Sequence, residues 1–364
     1  MVPKLIEWDK FTAWDELAGY VNASIPGQAP ASIWAMCVLP NISVNELPHL
    51  AKRRSFKNSS FSIEPIPKSA DFWLLTMRYK GHVRHRTVSI PLRVTQDGWI
   101  LLFKSKTELQ LARILTRRLY PRISRSHLTN VALEKLVSTM IPSSDYYVKP
   151  IGCEAVTPAL KDVRTDLVGT TRARLSGPDT ARILKMIQEK VYNLWIDNLE
   201  FEIRERHSEE PIVSARLTRD GLCEVRPSPE IFELFVKLLD GVIAAGRARE
   251  VKFSNMDRRV VGRDVRISPV RVKYENPIEA FQIRMIARDL TRRTVTSVVH
   301  AGNPYFLAIA QDFLDRSTFS IAIVGDTVTV IPIKQNSNSS FSHLLDIVYG
   351  NIGEGQEVLA QSSP

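Results

Sequence analysis

The sequence predicts an α+β protein made of two or three repeated units, each a strand, a helix, an antiparallel hairpin and a second helix, with the helices packed on one face of antiparallel sheets. The first observation is a turn motif, Arg-x-Thr-x-Asp-Gly, which occurs at residues 93–98 and again at 216–221. The second is that apolar and polar residues alternate around each motif and change to helical spacing after it. A third candidate turn, Gly325-Asp326, has similar surroundings.

A tight hairpin is expected at each of these turns. Asp-Gly favours the positive φ angles of a two-residue turn, so the strands on either side of both motifs should pair directly. Strands are also expected ahead of the hairpins, at 32–39, 170–175 and 294–300.

Helices are predicted on both sides of the hairpins. Of the three helices that follow a hairpin, the first should be capped by Thr107. The second should begin at Ser228-Pro229-Glu230 and end at Gly246, and the third should run from Phe341 to Gly350. Those that precede should begin after Ser43, at Gly177-Pro178-Asp179 and at Asn303-Pro304.

These elements divide the chain of 364 residues into successive parts. The predicted order is an amphipathic N-terminal helix and linker at 1–29, a first α+β unit at 30–125, a helical linker at 126–144, a second unit at 145–248, a third unit at 249–350 and a flexible C-terminal tail at 351–364. In the N-terminal helix, Trp8, Phe11 and Trp14 are candidates for binding a protein partner.

Composition excludes several classes of protein. With 44% apolar residues the chain is too apolar to be disordered. It has no apolar run of the ~18–20 residues that a bilayer span needs, which excludes an integral membrane protein, and the acids near its start argue against a secretory signal. Cys37, Cys153 and Cys223 are far apart and odd in number, so they should be isolated reduced thiols. We therefore expect a cytoplasmic location.

The familiar catalytic motifs are absent from the sequence. It contains no phosphate-binding Gly-x-x-x-x-Gly-Lys-Ser/Thr loop, no Gly-x-Gly-x-x-Gly turn between a strand and a helix, and no Gly-x-Ser-x-Gly elbow. His82 and His85 would point to opposite faces of a strand, among arginines that repel a cation. The densest carboxylates, in 197–210, alternate with arginines as on an exposed strand. We predict no catalytic residue, no metal and no cofactor.

Positive charge is concentrated in two stretches. The chain has 49 Lys and Arg against 39 Asp and Glu, a net charge of +10, and the excess falls mainly in 52–125 and 247–273. Arginine is suited to bidentate contacts with phosphate. The candidate nucleic-acid-binding residues are Lys52, Arg53, Arg54, Arg84, Arg86, Arg113, Arg117, Arg118, Arg122, Arg125, Arg258, Arg259, Arg263 and Arg266. The alternative is that these side chains pair with acids elsewhere in the fold.

Three functions are compatible with this pattern. The first is a non-catalytic module that binds DNA or RNA through phosphate contacts, within a larger assembly. The second is a structural or adaptor subunit that binds protein partners through the N-terminal helix or an exposed sheet. The third is a divergent metal-dependent nuclease whose carboxylates converge only in the folded chain. A membrane partner is not expected, because acids in the N-terminal helix oppose anionic lipid.

Overall fold

A computed structural model describes most of the chain, and it is a mixed α+β fold dominated by strands. The described residues are 33–53, 59–66, 71–80, 85–103, 105–120, 122–139, 145–157, 171–177, 184–185, 195–208, 211–226, 232–254, 258–261, 264–267, 269–302, 305–313, 316–334 and 338–359. They contain two large antiparallel sheets, a two-stranded ribbon and six α-helices.

The chain divides into two compact units, here called lobe 1 and lobe 2. Lobe 1 comprises Met1–Leu128, Ala132–Ile151 and Leu199–Arg247, and lobe 2 comprises Thr129–Val131, Gly152–Asn198 and Ala248–Pro364. Each lobe is described by itself below. The three-unit division predicted from the sequence stays a prediction.

Lobe 1 is built on one sheet. Its strands are β1 (Ile33–Pro40), β2 (Ser59–Pro65), β3 (Phe72–Lys80), β4 (His85–Val94), β5 (Trp99–Phe103), β6 (Ile123–Arg125), β7 (Tyr146–Thr157), β9 (Trp195–Glu205), β10 (Pro211–Thr218) and β11 (Leu222–Arg226), with the ends of β7 and β9 in lobe 2. The strand order is β2-β3-β4-β5-β1-β11-β10-β9-β7, and β6 also pairs with β1.

The helices of lobe 1 lie on both faces of this sheet. They are α1 (Leu47–Arg53), α2 (Lys106–Leu119) and most of α3 (Asn130–Ser138) and α4 (Phe232–Ser254). Met36 and Val38 share a core with the apolar face of α2, whereas Cys37, which points to the other face, contacts the Leu239 carbonyl of α4 at 3.6 Å. The prediction that the helices pack on only one face of the sheet is therefore wrong for lobe 1. The central strands β1 and β5 are buried on both sides, which explains their continuous apolar sequence.

Lobe 2 contains the second large sheet. The lobe contains β8 (Thr171–Ser176), which pairs with the end of β7, and a separate ribbon of β12 (Arg258–Val261) and β13 (Asp264–Ile267). Its remaining strands are β14 (Val270–Lys273), β15 (Thr294–Ala301), β16 (Tyr305–Asp312), β17 (Thr318–Val324), β18 (Thr327–Lys334) and β19 (Gln356–Leu359). The last six form a sheet in the order β15-β16-β17-β18-β14-β19.

One face of this sheet forms the core of lobe 2. Alternate residues such as Phe306, Ile321 and Val330 are buried against α5 (Ala280–Arg293) and α6 (Asn338–Ile352). The six strands follow the same order as β2-β3-β4-β5-β1-β6 of lobe 1. In both sets one helix follows the strand in fifth position, and another precedes the strand in sixth position along the chain.

All three predicted hairpins are present, but two of their turns are longer than expected. Val94 pairs with Trp99, which leaves the four-residue connection 95–98, in which the Gly98 N–H donates to Thr95 Oγ1 at 3.0 Å. The second turn has three residues and ends at Gly221, whose φ is +74°. The third, Gly325-Asp326, is a two-residue turn as predicted, with a φ of +58° at Gly325. Threonine hydroxyls stabilise the longer connections, because Thr95 Oγ1 donates to the Gly98 carbonyl and Thr218 Oγ1 accepts from the Leu222 N–H. The Asp-Gly rule does not include these hydrogen bonds.

The predicted helix after Asn303-Pro304 is wrong. Residues Tyr305–Asp312 form β16, and their burial alternates with period two: Phe306, Ala308 and Ala310 are buried while Tyr305 and Ile309 are exposed. Small and β-branched residues at alternating positions fit a strand, and pairing with β15 and β17 decides the structure.

Three helix ends also differ from the predictions. The N-cap of α2 is Ser105, whose side chain accepts the Glu108 N–H at 3.3 Å, and not Thr107. Helix α4 continues through Gly246 to Ser254, and Gly246 is a position of close packing inside the helix, not its end. Helix α6 continues past Gly350 and ends before Gly353, whose φ of +92° is typical of a C-terminal glycine. The helix starts predicted at Gly177-Pro178-Asp179 and Ser228-Pro229-Glu230 lie largely outside the described residues.

Candidate nucleic-acid interface

Helix α2 has one buried face and one charged face. Leu109, Ala112, Leu115 and Leu119 are buried against β1 and β5, at the i, i+3, i+6 and i+10 positions that one helix face provides. Ser105 caps the start of the helix, and Arg117 and Arg118 in the last turn complement its dipole. Packing of the apolar face therefore fixes which residues of α2 reach solvent.

The exposed face of α2 carries a row of four polar residues, here called the α2 row. Lys106, Gln110, Arg113 and Arg117 follow each other at intervals of four, three and four residues, so they align along the helix. All four are exposed, and the exposed positions of α2 include no carboxylate. Within the described part of the chain, no hydrogen bond or ion pair is found for the side chains of Lys106, Arg113 and Arg117. The row is thus available to an external anion.

A pocket of about 400 Å³ opens beside the α2 row. It is lined by Trp34 of β1, by Lys106, Gln110 and Arg113 of α2, by Arg216 of β10 and by Glu224 of β11. Arg216 lies 3.7 Å from Glu200, so part of its charge is already compensated. The pocket combines an aromatic ring, cations and one carboxylate, which suits a ligand with a negative group and polar edges.

The other candidates at the end of α2 and just after it differ in their surroundings. Arg118 and Arg122 are exposed. Arg125 instead forms an ion pair with Asp220, which also accepts a hydrogen bond from Thr218 at 2.5 Å. Burial alone would raise the pKa of Asp220, but Arg125 and the hydrogen bonds outweigh it and hold that pKa below its ordinary value. Arg125 therefore fits the alternative of an arginine paired within the fold.

The remaining predicted residues are not brought to this surface by any described contact. Lys52 and Arg53 lie in α1, Arg86 in β4, Arg258 and Arg259 in β12 and Arg266 in β13, where the structure describes the backbone alone. Arg259 is opposite Arg266 in the β12–β13 register. Arg54, Arg84 and Arg263 lie outside the described residues, as do Trp8, Phe11 and Trp14.

Lobe 2 has a second row of cations that is missing from the predicted set. Arg284, Arg288 and Arg292 of α5 are spaced by four residues and are exposed. Asp289 lies 3.4 Å from Arg288 and 4.0 Å from Arg292, which leaves Arg284 as the member without an ion pair among the described residues. The i, i+4, i+8 spacing is visible in the sequence and was a sufficient signal to find this row.

The cysteines and one of the carboxylates considered for catalysis are buried or paired within the fold. Cys37, Cys153 and Cys223 are free and buried, as predicted, and burial raises the pKa of the Cys37 and Cys223 thiols, so they are poor nucleophiles. Glu202 is paired with Arg204 at 2.7 Å. Among the described residues no cluster of three or more His, Cys, Asp or Glu side chains is arranged to hold a metal ion.

None of the helices that the structure describes has the length and apolarity needed to span a membrane. A scan against known protein families and a search of curated proteins find no match to this chain. The geometry of its own residues is therefore the basis for assigning a function.

Proposed function

We propose that the protein is a non-catalytic nucleic-acid-binding module that contacts phosphates through the α2 row. The observation that carries the proposal is that Lys106, Arg113 and Arg117 have no ion pair with any residue that the structure describes, on a helix face without an exposed carboxylate. Cations that a fold does not neutralise contribute directly to phosphate binding, because each contact releases a condensed counterion.

The dimensions of the row support this proposal. Eleven residues separate Lys106 from Arg117, which corresponds to about 16 Å of helix. Over that length one strand of a duplex carries about five phosphates, so three cations are enough to follow the backbone. Such contacts do not depend on base sequence, and we therefore expect little sequence specificity from the row itself.

The neighbouring pocket supports binding of unpaired nucleotides in addition. Trp34 provides an aromatic ring on its wall, and Arg113 and Arg216 lie around it. Stacking of a base on an aromatic ring contributes about 1–3 kcal/mol per base and tolerates any sequence. We therefore expect single strands to bind at least as well as duplexes.

The experiment is a titration of fluorescently labelled single-stranded DNA, duplex DNA and single-stranded RNA with the full chain, followed by anisotropy from 50 to 300 mM NaCl. The test variant is Arg113→Gln/Arg117→Gln. The control Lys135→Gln/Lys149→Gln removes the same charge from exposed positions of α3 and β7. Wild type and control should show the same steep slope in a plot of the logarithm of the binding constant against the logarithm of the salt concentration. The test variant should make about two fewer phosphate contacts, so its slope on single strands should be smaller by roughly 1.4.

The outcome against the proposal is equally definite. Absence of binding at 50 mM NaCl, or equal slopes for the test and control variants, would refute it. Adding Mg²⁺ or Mn²⁺ to the same mixtures and analysing the strands on a gel separates binding from cleavage, because a nuclease would shorten the labelled strand.

A role as an adaptor is the second candidate, and the sheet of lobe 2 supports it. The face turned away from α5 and α6 exposes Tyr305, Ile309, Val324 and Ile331, whose exposed fractions are 38%, 40%, 52% and 39%. Exposed apolar patches of this kind mark interaction sites. Replacing Ile309 and Val324 with threonine should abolish co-purification of a partner from the native host while leaving the fold intact.

We also propose that the chain contains an internal duplication. The support is the common strand order of β2-β3-β4-β5-β1-β6 and β15-β16-β17-β18-β14-β19, with helices at the same two positions. The duplicated segments would be 33–125 and 270–359, which overlap the predicted units at 30–125 and 249–350 but place β19 beyond the end of the latter.

A further inference from the structure

Strand β15 is an exposed edge of the lobe 2 sheet. It pairs with β16 on one side, and on the other side no strand of the described residues pairs with it. Every residue from Ser297 to Ala301 is exposed, and the exposed fractions of Val295, Val298 and Val299 are 57%, 42% and 58%. The backbone N–H and C=O groups directed away from β16 therefore provide a template for a further strand.

The other edges of the two large sheets carry features that discourage such pairing. β2 contains Glu64 and Pro65, β8 contains Arg172 and Arg174, and β19 has four residues. β15 has eight residues and includes no proline, lysine, arginine or carboxylate. Its one irregularity is a bulge between Val298 and His300, which leaves residues 294–298 in regular register.

We propose that β15 pairs antiparallel with β15 of a second copy of the chain and so forms a symmetric dimer. A two-fold axis perpendicular to the sheet joins the two strands without exchanging their faces. An axis at Ser297, for example, places Thr296 opposite Val298 of the second copy, and both residues belong to the face that packs on α5. The joined sheet has twelve strands, and the interface is isologous.

Charge explains why the occupant is a second copy. When two identical strands pair about a two-fold axis, the residues near the axis lie opposite the same residues of the second copy. A charged residue there would face an identical charge, which is destabilising. β8 would oppose arginines in this way, whereas 294–298 contains no charged residue. The exposed valines and threonines of β15 are also β-branched, and cross-strand pairs of such residues stabilise antiparallel sheets.

Salt should strengthen this dimer, in contrast to phosphate binding. Helix α5 contacts β15 and carries the exposed row Arg284, Arg288 and Arg292, so pairing of two copies brings like charges closer together. Screening at higher ionic strength weakens that repulsion. The opposite signs of the two salt responses make failure of the dimer distinguishable from failure of nucleic-acid binding.

The test is sedimentation velocity of the full chain from 2 to 200 μM, at 50 and 300 mM NaCl. Two variants, Val298→Lys and Ser297→Lys, place a lysine at the shared edge at positions that are already exposed. The control with the same added charge is Ser62→Lys, at an exposed position of β2, the edge strand that contains Glu64 and Pro65. Circular dichroism of each variant checks that the fold is retained.

Wild type and Ser62→Lys should form a dimer whose dissociation constant is lower at 300 mM NaCl than at 50 mM. Each β15 variant should raise the dissociation constant of the dimer by about tenfold or more. Amide hydrogen exchange of residues 294–298 should slow as the wild-type concentration rises. A monomer throughout the range, or a dimer that neither β15 lysine weakens relative to Ser62→Lys, would overturn the proposal.

Discussion

Arg249 of α4 lies 3.4 Å from Glu357 of β19, measured between guanidinium Nη2 and carboxylate Oε1, and the two side chains are 6% and 9% exposed. The Glu357 carboxylate also accepts hydrogen bonds from Lys252 at 2.7 Å and from the Tyr349 hydroxyl at 2.8 Å. One buried carboxylate thus joins the end of α4, helix α6 and the last strand of lobe 2.

Replacing Glu357 with Gln should destabilise the protein by up to about 3–5 kcal/mol, because it removes the anion that acts most strongly on the buried Arg249 charge and leaves only the weaker effects of Asp346 and Glu354. Urea unfolding followed by circular dichroism measures the effect. Lys252→Met is the matched control: that lysine is 42% exposed, and loss of its ion pair should cost about 1 kcal/mol or less. Equal losses in the two variants would show that burial of the pair has no energetic consequence.

The contribution of Glu357 should also depend on pH. Burial alone would raise the pKa of this carboxyl, but Arg249 and Lys252 outweigh burial and hold its pKa below the ordinary value. A pKa that is lower in the folded state stabilises the protein above the unfolded value of about 4.3, and the contribution is lost as pH falls through the folded value. The difference between wild type and Glu357→Gln in urea midpoint should therefore be full at pH 7 and shrink below about pH 4. A constant difference from pH 7 to pH 3 would contradict this assignment.

Gly246 should not tolerate even one added methyl group. A Cβ at this position would lie 2.0 Å from Ser126 Oγ, and Ser126 is held by its hydrogen bond to the Val242 carbonyl at 2.8 Å. Gly246→Ala should therefore cost about 1–3 kcal/mol through overpacking.

Gly350→Ala provides the control for that substitution. Gly350 also lies within a helix, but nothing lies within 4 Å of its Cβ position. Alanine there should leave stability unchanged or raise it by up to about 1 kcal/mol. Thermal unfolding of the two variants is the measurement. Helix propensity favours alanine at both positions, so an equal loss at Gly350 and Gly246 would show that the contact with Ser126 is not the cause.

The three thiols should be unreactive until the protein unfolds. Cys37, Cys153 and Cys223 are 0–1% exposed, and burial raises the pKa of Cys37 and Cys223. A thiol reagent such as dithionitrobenzoate should therefore react with less than one equivalent at pH 8 within minutes, and with three equivalents after addition of urea. Rapid reaction of the folded protein would identify an exposed thiolate.

Local sequence rules predicted much of the fold but failed where pairing decides the structure. The hairpins around Gly98, Gly221 and Gly325 were predicted because turn residues interrupt alternating segments. The strand β16 was mistaken for a helix, since Phe306, Ile309, Ala310 and Phe313 also fit helical spacing. Short apolar segments fit both periods, and the neighbouring strands choose between them.

The candidate site shows the same limit. Arg113 and Arg117 were predicted as nucleic-acid-binding residues, and the structure places both on the exposed face of α2. Sequence spacing did not separate them from Arg125, whose partner Asp220 is 95 residues away. Trp34 and Arg216 of the adjacent pocket were not predicted, because three strands distant in the chain bring them to α2.

The sequence by itself determined the α+β class, the positions of the hairpins, the buried thiols and the two stretches of positive charge. These follow from side-chain periodicity and turn chemistry, which act over a few residues. The tertiary structure decided which cations are neutralised within the fold and which helices cover both faces of the lobe 1 sheet. It also decided that β15, which has no proline, lysine, arginine or carboxylate, is an edge strand. These depend on contacts between residues far apart in the chain, and no local pattern records them.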